Sequence, residues 1–336
     1  MNIEFPRVVG IETINSCNAR CPFCPLFQGE AMMNRDTRPA TIMDASLFLA
    51  CVSEIDQWAV KPETIYLNMN GEPLSDPLFA SRLRSLKDLE LGSIVDLQSN
   101  GQFLDEKMAG AILDAKVRRL TLGFDGATPE VYAQHRVRCD FDRVLANIRR
   151  FVKMRDAGLF PTRVAIQFVR TRANEHEVVT AYRLFNEFMR PGKDVFQDTL
   201  SKDWGDSPSS TPIFFIPKTF GTKPLGCKVF KEQLIVLADG VVCACCWDYN
   251  LTVSNGGFGN ARDGLLKIWN GTDRGELAKR LASQNLEDKP KKCRSCPYLF
   301  GGERIRPELA KLQGEVSEAG FTYHFTQSSS KWLEYV

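Results

Sequence analysis

Apolar and polar positions along the chain fall into short strands alternating with amphipathic helices. Val8-Val9-Gly10-Ile11 reads as the first strand. Asp44 then caps a helix whose apolar face is Leu47, Phe48, Cys51, Val52 and Ile55. On that face Cys51 reads as a small packing hydrophobe. Thr64–Leu67 is a second strand, followed by a helix near Pro77–Leu86; Ile94–Leu97 is a third, followed by a helix over Asp105–Asp114. The strand Val117–Phe124 ends at Asp125-Gly126, and Thr128-Pro129-Glu130 opens the next helix, with proline at an early helical position. Asp140 caps a long amphipathic helix with Phe141, Val144, Leu145, Ile148 and Val152 at helical spacing, stopped by Gly158. Val164–Val169, a helix over His176–Met189 and the strand Val195–Gln197 complete the series. Six strands alternating with helices predict a parallel α/β sheet with right-handed crossovers, as a barrel or partial barrel with its site at the C-terminal mouth.

The pattern then changes. The run SKDWGDSPSSTP is rich in Ser, Asp, Gly and Pro and reads as a linker or lid. Two short strands, Gln233–Leu237 and Val241-Val242, join at the hairpin signal Asp239-Gly240, and a helix is expected over Leu265–Ala282. The expected domains are an α/β unit over 1–199, a linker or lid over 200–226, a cysteine-bearing unit over 227–300 and a polar tail over 301–336. At 336 residues the chain is long enough for one large domain and a smaller one.

A net charge of +2 lacks the basic surplus of a nucleic-acid binder. No apolar run approaches a membrane span, and the N-terminus has no secretion signal. Eleven cysteines without such a signal point to a reducing cytoplasm and to metal rather than disulfides. Three lie near the start, six lie between Cys227 and Cys296, and Cys51 and Cys139 stand alone.

Cys17, Cys21 and Cys24 form a CxxxCxxC array with no fourth ligand nearby. Structural zinc normally takes four protein ligands. An iron–sulfur cluster on three cysteines leaves one iron free for a small molecule, and dense cysteine runs are typical of such clusters. A zinc site or a redox CxxC is the competing reading. The segment CNARCPFC resembles the cluster loop of the radical S-adenosylmethionine (SAM) superfamily. That resemblance implies an open (β/α)6 partial barrel whose fourth iron chelates SAM, with Phe23 near the adenine. Asn70-Gly71-Glu72-Pro73 is similar to the superfamily's GGEP motif, which contacts the SAM amino group, with asparagine replacing the first glycine. Ser99-Asn100 resembles a segment touching the SAM ribose or carboxylate; Arg136 stands where relatives pair the SAM carboxylate, and Gln167 is a further ribose or substrate candidate. Turns, caps and surface charge are the plain alternatives for these residues.

Cys227, Cys245, Cys293 and Cys296, with Gly259-Asn260 and Ile268-Trp269-Asn270 between them, resemble the SPASM/twitch extension in its shorter, twitch form. This implies one auxiliary [4Fe–4S] cluster on those four cysteines; four thiolates also suit zinc. Cys243, Cys245 and Cys246 compete for one ligand position, and the GxxxxC spacing selects Cys245. Cys246, next to a ligand, is a candidate hydrogen-atom donor to a substrate radical or a packing residue; Cys139 is a second candidate donor. Asp125 is a candidate general base or hydroxyl ligand, or else a turn residue. The three histidines share no motif.

The resemblance implies a 5′-deoxyadenosyl radical acting on a substrate, powered by a reductase such as flavodoxin or ferredoxin. The first strand begins almost at once, where peptide-modifying relatives often carry an extra recognition domain. The expected substrate is therefore a polyhydroxylated small molecule of carbohydrate or aminoglycoside type, with Asn68, Gln98, Asp125 and Gln167 as hydroxyl partners. Epimerisation ranks ahead of oxidation by the auxiliary cluster. A peptide-modifying enzyme and a zinc-stabilised binding module are the remaining alternatives.

Overall fold

Each strand has two faces with different chemistry, and this sorts the whole molecule. The computed structural model describes residues 4–26, 36, 38–200 and 226–300. The elements run β1 (Val8–Ile11), α1 (Ala45–Gln57), β2 (Thr64–Tyr66), α2 (Phe79–Asp88), β3 (Val95–Ser99), α3 (Glu106–Asp114), β4 (Arg119–Gly123) and α4 (Pro129–His135). They continue with α5 (Phe141–Ala157), β5 (Arg163–Arg170), α6 (Val178–Asn186), β6 (Val195–Leu200), α7 (Lys228–Glu232), β7 (Gln233–Val236), β8 (Val242–Cys243), α8 (Leu265–Trp269) and α9 (Thr272–Ala282).

One sheet joins all eight strands in the order β6-β5-β4-β3-β2-β1-β7-β8. Neighbours from β6 to β7 are parallel, as right-handed βαβ winding requires, and β7 and β8 form an antiparallel hairpin. The architecture is the expected partial α/β barrel with a C-terminal extension. The hairpin is no separate unit: β7 pairs along β1 from Val8↔Gln233 to Ile11↔Val236. The cysteine-bearing extension therefore starts beside the strand that carries the first cysteine loop.

Val9, Ile11, Ile65, Leu67, Val95, Leu97, Leu120, Leu122, Val164 and Ile166 are all buried and belong to one core with the helix stripes. The caps act as their spacing predicts: Asp44 accepts from Leu47 N–H at 3.0 Å and Asp140 from Arg143 N–H at 2.7 Å. The alternate strand positions face the other way. Gly10, Tyr66, Asp96 and Arg119 share one register row, Gln98 pairs with Thr121, and Gly123, Gln167 and Gln197 share a third row. This inner face is polar, so the sheet encloses a site and not a second core.

Two expectations change. The helix expected over Leu265–Ala282 is two helices, α8 and α9, broken at Asn270-Gly271, where Asn270 Nδ2 bonds back to Leu266 C=O at 3.0 Å. The helix expected from His176 begins as a 3-10 turn, Glu175–Glu177, before α6. The expected lid at 200–226, apart from its two end residues, and the tail at 301–336 lie outside the described residues. Among the described residues no helix is long and apolar enough to cross a membrane.

Phe124, fully buried at the end of β4, packs its ring against Tyr132 (4.6 Å between centroids), Phe141 (5.2 Å) and Phe185 (5.0 Å). Phe124→Ala is expected to cost about 3–5 kcal/mol of stability, read as a lowered urea midpoint of the anaerobic protein; an unchanged midpoint contradicts this packing.

Candidate functional site

The first cysteine loop leaves β1 without regular structure, so its backbone groups need partners elsewhere. Met43 N–H bonds to Thr13 C=O at 2.8 Å, Asn15 N–H to Thr41 C=O at 3.1 Å and Arg20 N–H to Val137 C=O at 2.9 Å. Glu72 N–H donates to Ser16 C=O at 3.0 Å. That approach depends on Gly71, where an added Cβ would lie 2.0 Å from the Ile14 carbonyl oxygen.

Glu72 is buried and fully engaged. One carboxylate oxygen accepts from Ser99 Oγ at 2.7 Å and Leu74 N–H at 3.0 Å, the other from Asn100 N–H at 2.8 Å. Burial pushes its carboxyl up, opposed by these bonds. Glu72 and Ser99 thus tie the loops after β2 and β3 together. Asn100 reaches the cysteine loop itself, donating to Asn18 Oδ1 at 2.8 Å and lying 3.8 Å from Cys17 Sγ. The Asn70 side chain turns to Glu12, donating to its carboxylate at 3.3 Å.

Arg136 caps the end of α4 and points under the cysteine loop. Its Nε lies 2.5 Å from Asp125 Oδ2, its Nη1 lies 4.0 Å from Cys21 Sγ, and its guanidinium covers the Phe23 ring at 5.6 Å. It lies directly on Gly123, where a Cβ would meet Nη2 at 1.9 Å. Asp125 is fully buried and also accepts Val169 N–H at 2.6 Å. The ion pair therefore joins β4, β5 and the cysteine loop. Across the inner face Gln98 Nε2 donates to Gln167 Oε1 at 2.5 Å, while Gln98 N–H donates to Asn68 Oδ1 at 3.1 Å.

The three thiols of the loop are mutual electrostatic neighbours, and burial pushes each upward, Cys24 to about 12. Cys227, Cys245, Cys293 and Cys296 form a second group with the same mutual influence, Cys293 also pushed up by burial to about 12. Buried thiols that repel one another when ionised need a positive centre to become thiolates, which is the environment a metal centre supplies. On one zinc at about 2.3 Å each, four thiolates would lie within about 4 Å of one another. A cubane carries each on its own iron, further apart. The two thiol groups fit iron–sulfur clusters.

Cys243 lies on β8, buried with Ile235 and Leu237, its thiol 3.5 Å from Cys245 C=O. Cys246 is half-buried beside Val229, Trp247 and Tyr298 and next to Cys227, Cys245 and Cys296. Cys139 lies elsewhere, against the first loop, with Asn18 Nδ2 donating to its sulfur at 3.7 Å. His135 is buried, held by Val131 C=O at 2.9 Å and Thr171 Oγ1 at 2.8 Å.

Glu12 and Arg38, singled out by no motif, occupy a central position. Glu12 is fully buried, ion-paired to Arg38, and accepts Ala238 N–H at 3.0 Å. Glu12 follows an apolar strand and precedes Cys17 by five residues, which is the one sequence signal that it belongs to the site. Gly71→Ala is expected to displace the first loop and weaken SAM binding roughly tenfold or more, measured by equilibrium binding to the iron-loaded protein. Unchanged affinity would show that the close approach of the two loops is dispensable.

Comparison with known proteins agrees with this geometry. The model of the radical SAM superfamily matches residues 11–183, and the SPASM model, described as an iron–sulfur cluster-binding domain, matches 227–297. No curated protein matches the chain. Among solved structures it is similar to BtrN in complex with AdoMet and 2-DOIA, at 16% identity over 87% of this chain and 93% of that one, TM-score 0.56. It is also similar to Streptococcus suis SuiB bound to precursor peptide SuiA, at 14% identity over 97% and 76% of the two chains, TM-score 0.64. A third is anSMEcpe with bound AdoMet, at 17% identity over 89% and 86%, TM-score 0.60. These likenesses establish a common fold. The chain belongs to the radical SAM superfamily: it is a radical SAM enzyme with a SPASM/twitch extension, and its cofactors are SAM and two [4Fe–4S] clusters.

Proposed function

We propose that the enzyme epimerises a carbinol carbon of a polyhydroxylated small molecule of carbohydrate or aminoglycoside type, with Cys246 as hydrogen-atom donor. Cys17, Cys21 and Cys24 would hold the SAM-binding cluster, and Cys227, Cys245, Cys293 and Cys296 the auxiliary one. Phe23, Asn70, Gly71, Asn100, Arg136 and Gln167 would line the SAM pocket, shaped from behind by Glu72 and Ser99. When bound, the reduced first cluster and SAM supply a 5′-deoxyadenosyl radical that takes a hydrogen atom from a substrate carbon.

The observation that carries the reading is Cys246. It is half-buried and packs, with Cys227, Cys245 and Cys296, against Val229, Trp247 and Tyr298. As donor it would have to meet the substrate carbon from the face opposite the one that loses hydrogen, which is what inversion requires. The Cys246 S–H bond breaks, a new C–H bond forms with inverted configuration, and sulfur is left as a thiyl. One electron from a flavodoxin- or ferredoxin-type reductase and one proton restore the thiol. Cys139 lies against the first loop, on the same side as the radical source, and so is the weaker donor candidate.

The inner face supports a neutral, hydroxyl-rich substrate. Asp96 pairs with Arg118 at 2.8 Å and Arg119 at 2.5 Å, and Asp125 with Arg136. Amides and hydroxyls stand beside them, Asn68, Gln98, Thr121, Gln167 and Gln197, with Ala165 and Val195 in the row of Thr121. Such groups both donate to and accept from hydroxyls. The likeness to BtrN, solved with 2-DOIA, supports a small molecule. Oxidation to a ketone would need a proton acceptor. Asp125, the candidate base, is already committed to Arg136 and Val169 N–H, which leaves epimerisation ahead.

Product analysis of Cys246→Ala with candidate aminocyclitols and sugars tests this. The variant is expected to form 5′-deoxyadenosine but no epimer, and wild-type epimer made in D2O should carry one deuterium at the inverted carbon. Unchanged epimer yield from the variant contradicts the donor role.

A further inference from the structure

The mechanism makes no use of the Glu12–Arg38 pair, yet both side chains are almost completely removed from solvent. Burying two opposite charges gains little net stability and leaves a large penalty if either partner is lost. Such a pair is therefore better suited to fixing a geometry than to strengthening a fold. Its contacts say which geometry. One Glu12 oxygen accepts Asn70 N–H and Nδ2, both at 3.3 Å, in the loop that supports the first cysteines. The other accepts the Arg38 guanidinium and Ala238 N–H, in the turn after β7. Arg38 Nη1 donates to Tyr249 C=O at 3.0 Å, four residues past Cys245.

The Tyr249 ring completes the link. It is fully buried against Leu26, with Cys17 and Cys24 packed beside it. The Lys292 ammonium lies 3.8 Å from its centroid, next in sequence to Cys293. A single chain of contacts thus runs from the Asn70 loop through Glu12 and Arg38 to Tyr249, which with Leu26 packs near Cys17 and Cys24 and whose ring faces Lys292, next to Cys293.

We propose that Glu12 and Arg38 are positioning residues that couple the two cluster sites, so that SAM binding at the first changes the properties of the second. Asn70 senses the SAM pocket, Glu12 moves with it, and Arg38 passes the displacement to the Tyr249 backbone. Coupling of this kind is reciprocal, so the redox state of the auxiliary site also alters SAM affinity. The proposal rests on the assignment of the two thiol groups to clusters made above.

Redox titration followed by electron paramagnetic resonance, on the fully iron-loaded protein with and without SAM, tests it. In the wild type, SAM is expected to shift the midpoint potential of the auxiliary cluster. In R38M the shift is expected to disappear with both clusters retained, and SAM affinity to fall roughly tenfold, the effect of one positioning hydrogen bond. R38K, which keeps the charge, should preserve part of the shift, and E12Q should lose it. No shift in the wild type overturns the proposal without recourse to any variant, and so does a shift that survives in R38M or, should R38M not hold iron, in E12Q. Iron content separates the two layers. About eight irons with no SAM-dependent shift overturns the coupling alone; about four overturns the ligand assignment and the coupling with it.

Discussion

A buried carboxylate at the end of the first strand governs how this molecule is assembled. Glu12 stands where β1 stops and the cysteine loop begins, and every group around it donates to it: Arg38, Asn70 and Ala238 N–H. An unpaired charge at that depth would cost several kcal/mol. The loop after β2, the segment around Arg38 and the turn after β7 must therefore all be in place together. Glu72 repeats the device with uncharged donors, drawing the loops after β2 and β3 onto one carboxylate. These two acids give shape to a stretch of backbone that has no ladder of its own.

The sheet then divides the labour between its faces. Outward rows carry Val, Ile and Leu against the helices and provide the packing. Inward rows carry amides, hydroxyls and charges that neutralise one another. Because β7 extends the sheet from β1, the hairpin that leads to Cys245 lies beside the strand that leads into the first cysteine loop. The arrangement joins the two cysteine-bearing parts of a radical SAM enzyme with a SPASM/twitch extension through one continuous sheet.

Much of this was legible from the chain. Strand and helix periodicities, the caps Asp44 and Asp140, and both cysteine groups are local signals, and local signals survive folding. Non-local pairings were not. Nothing in Gln233–Val236 says that it will lie along β1, since a hairpin pattern describes only its own two strands. The break at Asn270-Gly271 was hidden because the apolar positions on either side keep helical spacing. Asp125 and Arg136 were each readable as chemistry; their pairing under Cys21 depends on β4 and α4 meeting in space. Arg38 had no signal at all, because a buried arginine is recognised by its acidic partner, here 26 residues away.

The most direct measurement is turnover of SAM by anaerobically reconstituted protein given a low-potential reductant. An open iron on Cys17, Cys21 and Cys24 predicts formation of 5′-deoxyadenosine by the intact chain, and none once all three are replaced by alanine. No 5′-deoxyadenosine from iron-replete protein, or undiminished formation after the triple replacement, would contradict it.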